Sequence, residues 1–411
     1  MKPGLAPRAP VAGFSLIELL VSMVIGLVVT LAITSVLIRT EGSKRGTTSV
    51  NDLNQTGAYT AFVLDRAIRS AGSGFSQSRS TAYGCLLDVS QGSTHVLPLP
   101  SAIDATSAFA NVTLPIRLAP VIIGKGLADT TGVGAQVRGD VLMVMSGTAG
   151  NGESPSAVLP PPAPSQLTQA NVRLANTLGY RTGDLVLLAD TGVPGKCMMQ
   201  QVTFPGTSAG STDQSLPLAG TYYSSTGTNV ILSAFGSSTI AMQLGNAVDN
   251  PPQFQLFGVG VNNTLNSYDL LQPSAPDVPV ADGVVEMRAF YGVDTTSPPD
   301  GVLDSWVDPV AGSGYEASVL TSPASQTKLR QIVAVRLGFI LRTSLQERSR
   351  LDDPVNGYDA PAAITLFGDA TDALGHSLAH TRTLTPGERR YRYRTIEVTV
   401  PLRNVLLAPQ S

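Results

Sequence analysis

Charge is scarce in this chain. Of its 411 residues, 14% are Asp, Glu, Lys or Arg, against about 25% in ordinary globular proteins. The 27 basic and 30 acidic residues leave a net charge of −3, a balance that argues against a protein that coats nucleic acid. Cysteine occurs twice, at Cys85 and Cys197, which excludes a zinc module built on four cysteines or a close pair, and a CxxC redox centre. Histidine occurs three times. A hydrolase would need His95, His376 or His380, and none has supporting context. No G-x-S-x-G elbow, Walker loop or complete dinucleotide glycine fingerprint is present, and no array of solenoid period. The chain reads as no enzyme and needs no cofactor. What it has in quantity is glycine, 40 residues, and proline, 29, the mark of a loop-rich, uncharged-polar protein long enough to bury a core.

One apolar run stands out. From Phe14 to Ile38 the sequence FSLIELLVSMVIGLVVTLAITSVLI carries a single charge, Glu18. As a helix it spans roughly 37 Å, enough to cross a hydrocarbon core of ~30 Å. The preceding MKPGLAPRAPVAG carries Lys2 and Arg8 and no acid, so the positive-inside rule keeps it cytoplasmic and exports the chain beyond the run. No small-residue A-x-A site lies between the run and the polar RTEGSKRG, so the apolar segment is retained. The candidate break is Gly13-Phe14, where glycine leaves the backbone accessible. A carboxylate inside such a helix costs roughly 2.5 to 3.5 kcal/mol and needs a proton or a partner.

The string G-F-S-L-I-E at 13 to 18, with its basic leader and retained span, resembles the class III signal of type IV prepilins and their pseudopilin relatives. The resemblance implies that a membrane aspartyl protease, the prepilin peptidase, cuts after Gly13 and that Phe14 becomes the N-methylated amino terminus. It also gives Glu18 a reason. In a stack of helices the cationic amine of a neighbour's Phe14 meets that carboxylate in low dielectric and fixes axial register. A protonated carboxyl near the headgroups is the plainer alternative. Pilin-like subunits that lack this acid tend to cap their complexes, so its presence implies a subunit that can carry another above it.

Beyond the span, Val50, Leu53, Gly57, Ala61, Leu64, Ile68 and Ala71 recur at steps of three or four, one buried helical stripe. Gly42 and Gly46 weaken the helix near the membrane exit, each by about 1 kcal/mol relative to alanine, and mark the place for bending or melting. Gly72-Ser73-Gly74 ends it. From residue 75 the period shifts to two, as in antiparallel sheet. The clearest strand is Gln331 to Arg342, with Val333, Val335, Leu337, Phe339 and Leu341 on a core face and Arg330, Arg336 and Arg342 on a wet one. Further strands are expected at 140–145, 184–189, 198–203, 284–291 and 395–402. The Pro-rich 154–166 and the Ser/Thr/Gly-rich 206–228 read as loops or flexible connections.

Four segments in this region resemble the PilW family of minor pilins: GDLVLLADTGVPGKCMMQQVT from Gly183, ADGVVEMRAFYGVD from Ala281, LRQIVAVRLGFILRT from Leu329, and YRTIEVTVPLRNV ending at Val405. The expected fold is α+β and type IV pilin-like, a long N-terminal transmembrane and amphipathic helix packed on an antiparallel β-sheet with a large loop-rich β head. The expected parts are a leader at 1–13, a transmembrane helix at 14–38, its exported amphipathic continuation at 39–72, and a head at 73–411 with a loop-rich middle at about 148–280. The implied role is assembly: a minor pilin that joins other minor pilins and the major pilin, meets the prepilin peptidase and the inner-membrane assembly platform, and helps initiate or cap a fibre serving adhesion, twitching motility or DNA uptake. It would sit in the inner membrane with its head in the periplasm, then in the pilus at the cell surface. A J-type pseudopilin of a type II secretion system is the near alternative. A membrane-tethered protein that binds a surface or DNA is the alternative of another class.

Several clusters invite chemistry. Cys85 and Cys197 lie on the exported, oxidising side, where a disulfide competes with two buried thiols. Asp294, Asp300, Gly301, Asp304 and Asp308 resemble an acidic calcium loop, but Ser297-Pro298-Pro299 interrupts it and the middle carboxylates are missing, which favours a solvated turn. His376 and His380, with Asp372 before them, would share a face on a helix, yet the segment is short and reads better as a surface loop. Arg389, Arg390, Tyr391, Arg392, Tyr393 and Arg394 interleave cations and rings as in a single-strand nucleic-acid site. Alternation puts Arg390, Arg392 and Arg394 in phase with Ile396 and Val398, so a strand start near Arg394 is needed to keep them out of the core. Arg138-Gly139-Asp140 and Arg181-Thr182-Gly183-Asp184 read as turns before strands.

Overall fold

The computed structural model describes residues 13, 15–99, 103–131, 135–149, 154–159, 170–191, 195–204, 215–236, 238–273, 275–354 and 357–407. They fall in two compact units, one ending at Asp52 and one beginning at Leu53. A helix, Leu16–Ser70, runs through both. It is helical through Gly42 and Gly46, so these glycines lower helix propensity without ending the helix.

In the first unit, Leu16–Leu37 is long and apolar enough to cross a membrane and is unburied. Its hydroxyls are satisfied within the helix itself. Ser22 donates to Leu19 O, Thr30 to Gly26 O, Thr34 to Thr30 O and Ser35 to Ala32 O, at 2.7 to 2.9 Å. A segment in hydrocarbon has no water to do this, so internal pairing is the arrangement the medium requires.

In the second unit the helix is amphipathic. Leu53, Leu64 and Ile68 are buried, and they face a four-stranded antiparallel sheet ordered Ser305–Val307, Val284–Val293, Ile332–Arg342, Tyr393–Pro401. Gly57 lies against the side chains of Ile396 and Leu341, so a Cβ there would require the end of Ile396 to shift. The helix stops because Gly72 and Gly74 take φ of +82° and +83°, a conformation costly for residues with a Cβ. Asn404 Nδ2 then donates to the orphan carbonyls of Ser70 and Ala71, each at 3.1 Å. The chain does not pass straight into sheet after residue 75. A 3₁₀ turn, Ser76–Ser78, and a helical turn, Arg79–Ala82, come first.

Besides two-stranded pairs of Asn171–Arg173 with Ser215–Pro217 and of Ala363–Leu366 with His380–Thr383, the described residues of the head form two further large sheets. One is ordered Val278–Asp282, Thr264–Asp269, Gln253–Val259, Val141–Ser146, Val121–Gly124. The other is ordered Thr94–Leu97, Leu86–Gln91, Lys196–Gln201, Asp184–Asp190, Thr239–Asn246, Ser156–Ala157. In the latter, Leu86–Gln91 and Lys196–Gln201 run parallel.

The described residues of the stretch read as loop-rich, about 148–280, supply strands to three sheets and build a second core from Val186, Leu188, Met198, Leu216, Leu232 and Phe235. One expectation changes: the second face of Ile332–Arg342 is not wet. Ile340 and Phe290 pack there with Val285, Leu366 and Phe367, under a hairpin of Ala363–Leu366 and His380–Thr383. Gly338 leaves room for the Phe367 ring, and Arg336 pairs with Asp369 at 2.6 Å and Glu397 at 2.8 Å.

Candidate assembly site

Gly13 is exposed; Phe14, the expected methylation site, lies outside the described residues. Ser15 and Glu18 form a reciprocal cap at the helix start. Glu18 N–H donates to Ser15 Oγ at 3.2 Å, and Ser15 N–H donates to Glu18 Oε2 at 3.4 Å. This is the S-x-x-E capping box, which satisfies two orphan donors and places a negative group at the positive end of the helix. It holds the carboxylate back over the first turn. Among the described residues Oε1 accepts no hydrogen bond, which leaves that oxygen open to a cation. The box was legible in the letters S-L-I-E, and sequence reasoning passed over it because the same letters carry the processing signal.

Cys85 and Cys197 form a disulfide with Cα atoms 5.6 Å apart, fully buried. Arg117 braces it, donating to Gly84 O at 2.6 Å, Gly195 O at 3.3 Å and Thr321 O at 2.8 Å.

The acidic loop spends its carboxylates on its own backbone. Asp294 accepts from Thr296 N and Gly301 N, Asp304 from Thr295 N and Thr296 N, and Asp300 from Val302 N. Asp308 pairs with Lys125 at 2.6 Å. Among the described residues no three His, Cys, Asp or Glu side chains gather as a metal site.

The basic row is spent as well. Arg389 donates to Ala360 O at 2.7 Å, Arg390 to Glu347 O at 3.3 Å, Arg392 bonds the Glu347 carboxylate while its guanidinium stacks on Tyr358, and Arg394 bonds the Asn54 side chain. The strand starts at Tyr393, which keeps Arg390 and Arg392 out of the alternating face. Both Arg-x-Gly-Asp-like turns end on inward carboxylates: Asp140 and Asp184 are buried, so neither turn offers its acid to a partner.

His376 and His380 share no helix. His376 pairs with Asp372 at 2.9 Å in an exposed turn. His380 instead reaches Glu286, the feature that sequence reasoning missed. Glu286 is wholly buried, with Arg288 Nε at 2.7 Å, His380 Nε2 at 2.6 Å and Arg382 Nη1 at 3.1 Å. Burial opposes ionisation, but the hydrogen bond from His380 and the charge of Arg288 outweigh it and hold the carboxyl down at about 2. Arg288 also meets Asp140 at 3.0 Å, tying the turn before Val141–Ser146 to the helix-backed sheet. The cluster fastens elements together.

Against known proteins, residues 260–404 match the family model described as Type IV Pilus-assembly protein W, and residues 8–34 match the Prokaryotic N-terminal methylation motif. Over that C-terminal third the chain is similar to the PilW family. No curated protein and no solved structure matches significantly. The PilW match takes in the segments read from Ala281 and Leu329 and all but the last residue of the one ending at Val405. The PilW-like segment read from Gly183 lies outside it. All four strands behind the helix, with Glu286, Arg288, His380 and Arg382, therefore stand within the PilW region. The disulfide and the second core stand outside it.

Proposed function

We propose that the chain is a minor pilin: a structural subunit, processed by a prepilin peptidase between Gly13 and Phe14, methylated on Phe14, and held in the inner membrane with its head in the periplasm until assembly. The observation that carries this is the capped, unburied apolar segment Leu16–Leu37, which begins within a methylation motif matched at residues 8–34. After leader removal such a helix exchanges lipid for the equally apolar helices of sister subunits, at little hydrophobic cost. Glu18 then meets a neighbour's amine and sets register. Its partners are the other minor pilins, the major pilin and the assembly platform, and its place is at the start or the cap of the fibre, in support of adhesion, twitching motility or DNA uptake.

Mass spectrometry of the mature chain tests the processing step; the expected amino terminus is methylated Phe14. A chain that keeps residues 1–13, or loses the stretch through Ile38, refutes the proposal. Glu18→Ala is expected to leave membrane insertion intact and to impair incorporation into fibres, and normal incorporation by the variant removes the register role. Recovery of the chain with secretion-system pseudopilins in place of pili would select the J-type reading.

A further inference from the structure

The sheet edges of the head differ in one respect. Ser305–Val307 has three residues and Ser156–Ala157 two. Thr94–Leu97 has four and a register shift against its neighbour. Val121–Gly124 is buried. Val278–Asp282 carries Pro279 and a register shift. These are the devices by which proteins keep edges from pairing with other chains. Tyr393–Pro401 has none of them along its length: nine residues, paired with Ile332–Arg342 in unbroken register, with proline only at the end.

Its open side can be assigned. Thr343 N donates to Arg392 O, and Leu402 N donates to Val333 O. Hydrogen-bonded pairs alternate in an antiparallel ladder, so Arg394, Ile396, Val398 and Val400 bond inward, and Thr395, Glu397 and Thr399 point their N–H and C=O groups away. Among the described residues no acceptor meets those three amides. Charged side chains that might guard the edge are committed elsewhere, Arg394 to Asn54 and Glu397 to Arg336 and to Phe367 N. Thr395, Ile396, Val398, Thr399 and Val400 are all β-branched, the residues that best suit an extended strand.

We propose that this edge docks an extended strand of another subunit in the assembly, which continues the helix-backed sheet across the subunit boundary. A row of alternating, unpaired donors and acceptors is matched by an extended backbone and by neither a helix nor a lipid surface. The proposal rests on the reading of the chain as an assembly subunit.

Hydrogen exchange of the full-length protein, solubilised in detergent and within isolated fibres, tests it. The amides of Thr395, Glu397 and Thr399 are expected to exchange freely in the solubilised protein and about tenfold or more slowly in fibres. Thr399→Pro removes an outward donor and leaves the inward ladder, a position where proline is tolerated. It is expected to keep the melting temperature of the head and to lower fibre content about tenfold, the scale of one lost docking surface. If Thr399→Pro does not fold, Thr395→Lys supplies the missing guard charge and carries the same expectation.

Wild-type chain in fibres with those amides still exchanging freely overturns strand docking and leaves the pilin reading standing. Wild-type chain absent from all fibres overturns the pilin reading and docking with it. Amide protection in solubilised protein that grows with its own concentration identifies self-pairing and overturns the assignment to another subunit.

Discussion

Glu18 and Glu286 each stand in an apolar stretch of sequence, in different regions of the molecule, and the two regions treat their carboxylates in opposite ways. In the first unit Glu18 has, among the described residues, one local partner, Ser15, and an oxygen to spare. In the head Glu286 is enclosed by Arg288, His380 and Arg382. An acid satisfied inside its own fold holds that fold together, whereas one left with spare capacity is equipped to bind something else. The same contrast runs along the helix. Leu53–Ser70 takes its stability from burial against a sheet, while Leu16–Leu37 relies on its own hydrogen bonds and on the solvent around it.

The contrast can be broken, most strongly at Glu286. Replacing it with Gln is expected to destabilise the head by about 3 kcal/mol, because buried cations lose a partner; urea unfolding of the purified protein measures this. The pH dependence has a definite sign. The carboxyl sits below its ordinary value of 4.5, at about 2, so it contributes stability that is in place above pH 4.5 and is lost as pH falls toward 2. Glu286→Gln should flatten the acid limb of a stability-versus-pH curve over that window. Next comes Leu64, fully buried in the helix stripe, where Leu64→Ala is expected to cost about 2 to 5 kcal/mol. Asn404→Ala should cost about 1 kcal/mol, the worth of a helix-end hydrogen bond, and leave the rest of the head's unfolding unchanged. At the other end of the scale, Leu27→Ala and Glu18→Ala are expected to shift head stability by less than about 0.5 kcal/mol, with the Glu18 variant failing in fibre incorporation alone. A large stability loss from either would erase the distinction between the two regions.

Local order made part of this legible. The steps of three and four from Leu53 to Ile68, the glycines at 72 and 74, and the alternation of Val333 to Leu341 each specify geometry over a few residues, and the helix and the strand obey them. What the letters could not give were arrangements made by residues far apart in the chain. The hairpin that covers Ile340 comes from 363–383, and Glu286 meets His380 across 94 positions of chain. A period-two pattern with arginines on one face describes a wet surface and an ion-paired interior in the same symbols. Proline and serine likewise concealed the two- and three-residue strands Ser156–Ala157, Asn171–Arg173 and Ser215–Pro217, which are too short to show a period. Of the assembly site, the processing signal was plain and the Ser15–Glu18 box was overlooked.

The bond from Asn404 to the carbonyls of Ser70 and Ala71 joins positions more than three hundred residues apart. The frame around the helix is therefore drawn from two separate stretches, 53–71 and 284–405, that close on each other like the jaws of a clasp. What lies between them is gripped as well, because Arg288 reaches Asp140 at 3.0 Å and Leu87, Val144 and Leu256 share one core with Leu64 and Val335, so the jaws and what they hold unfold together.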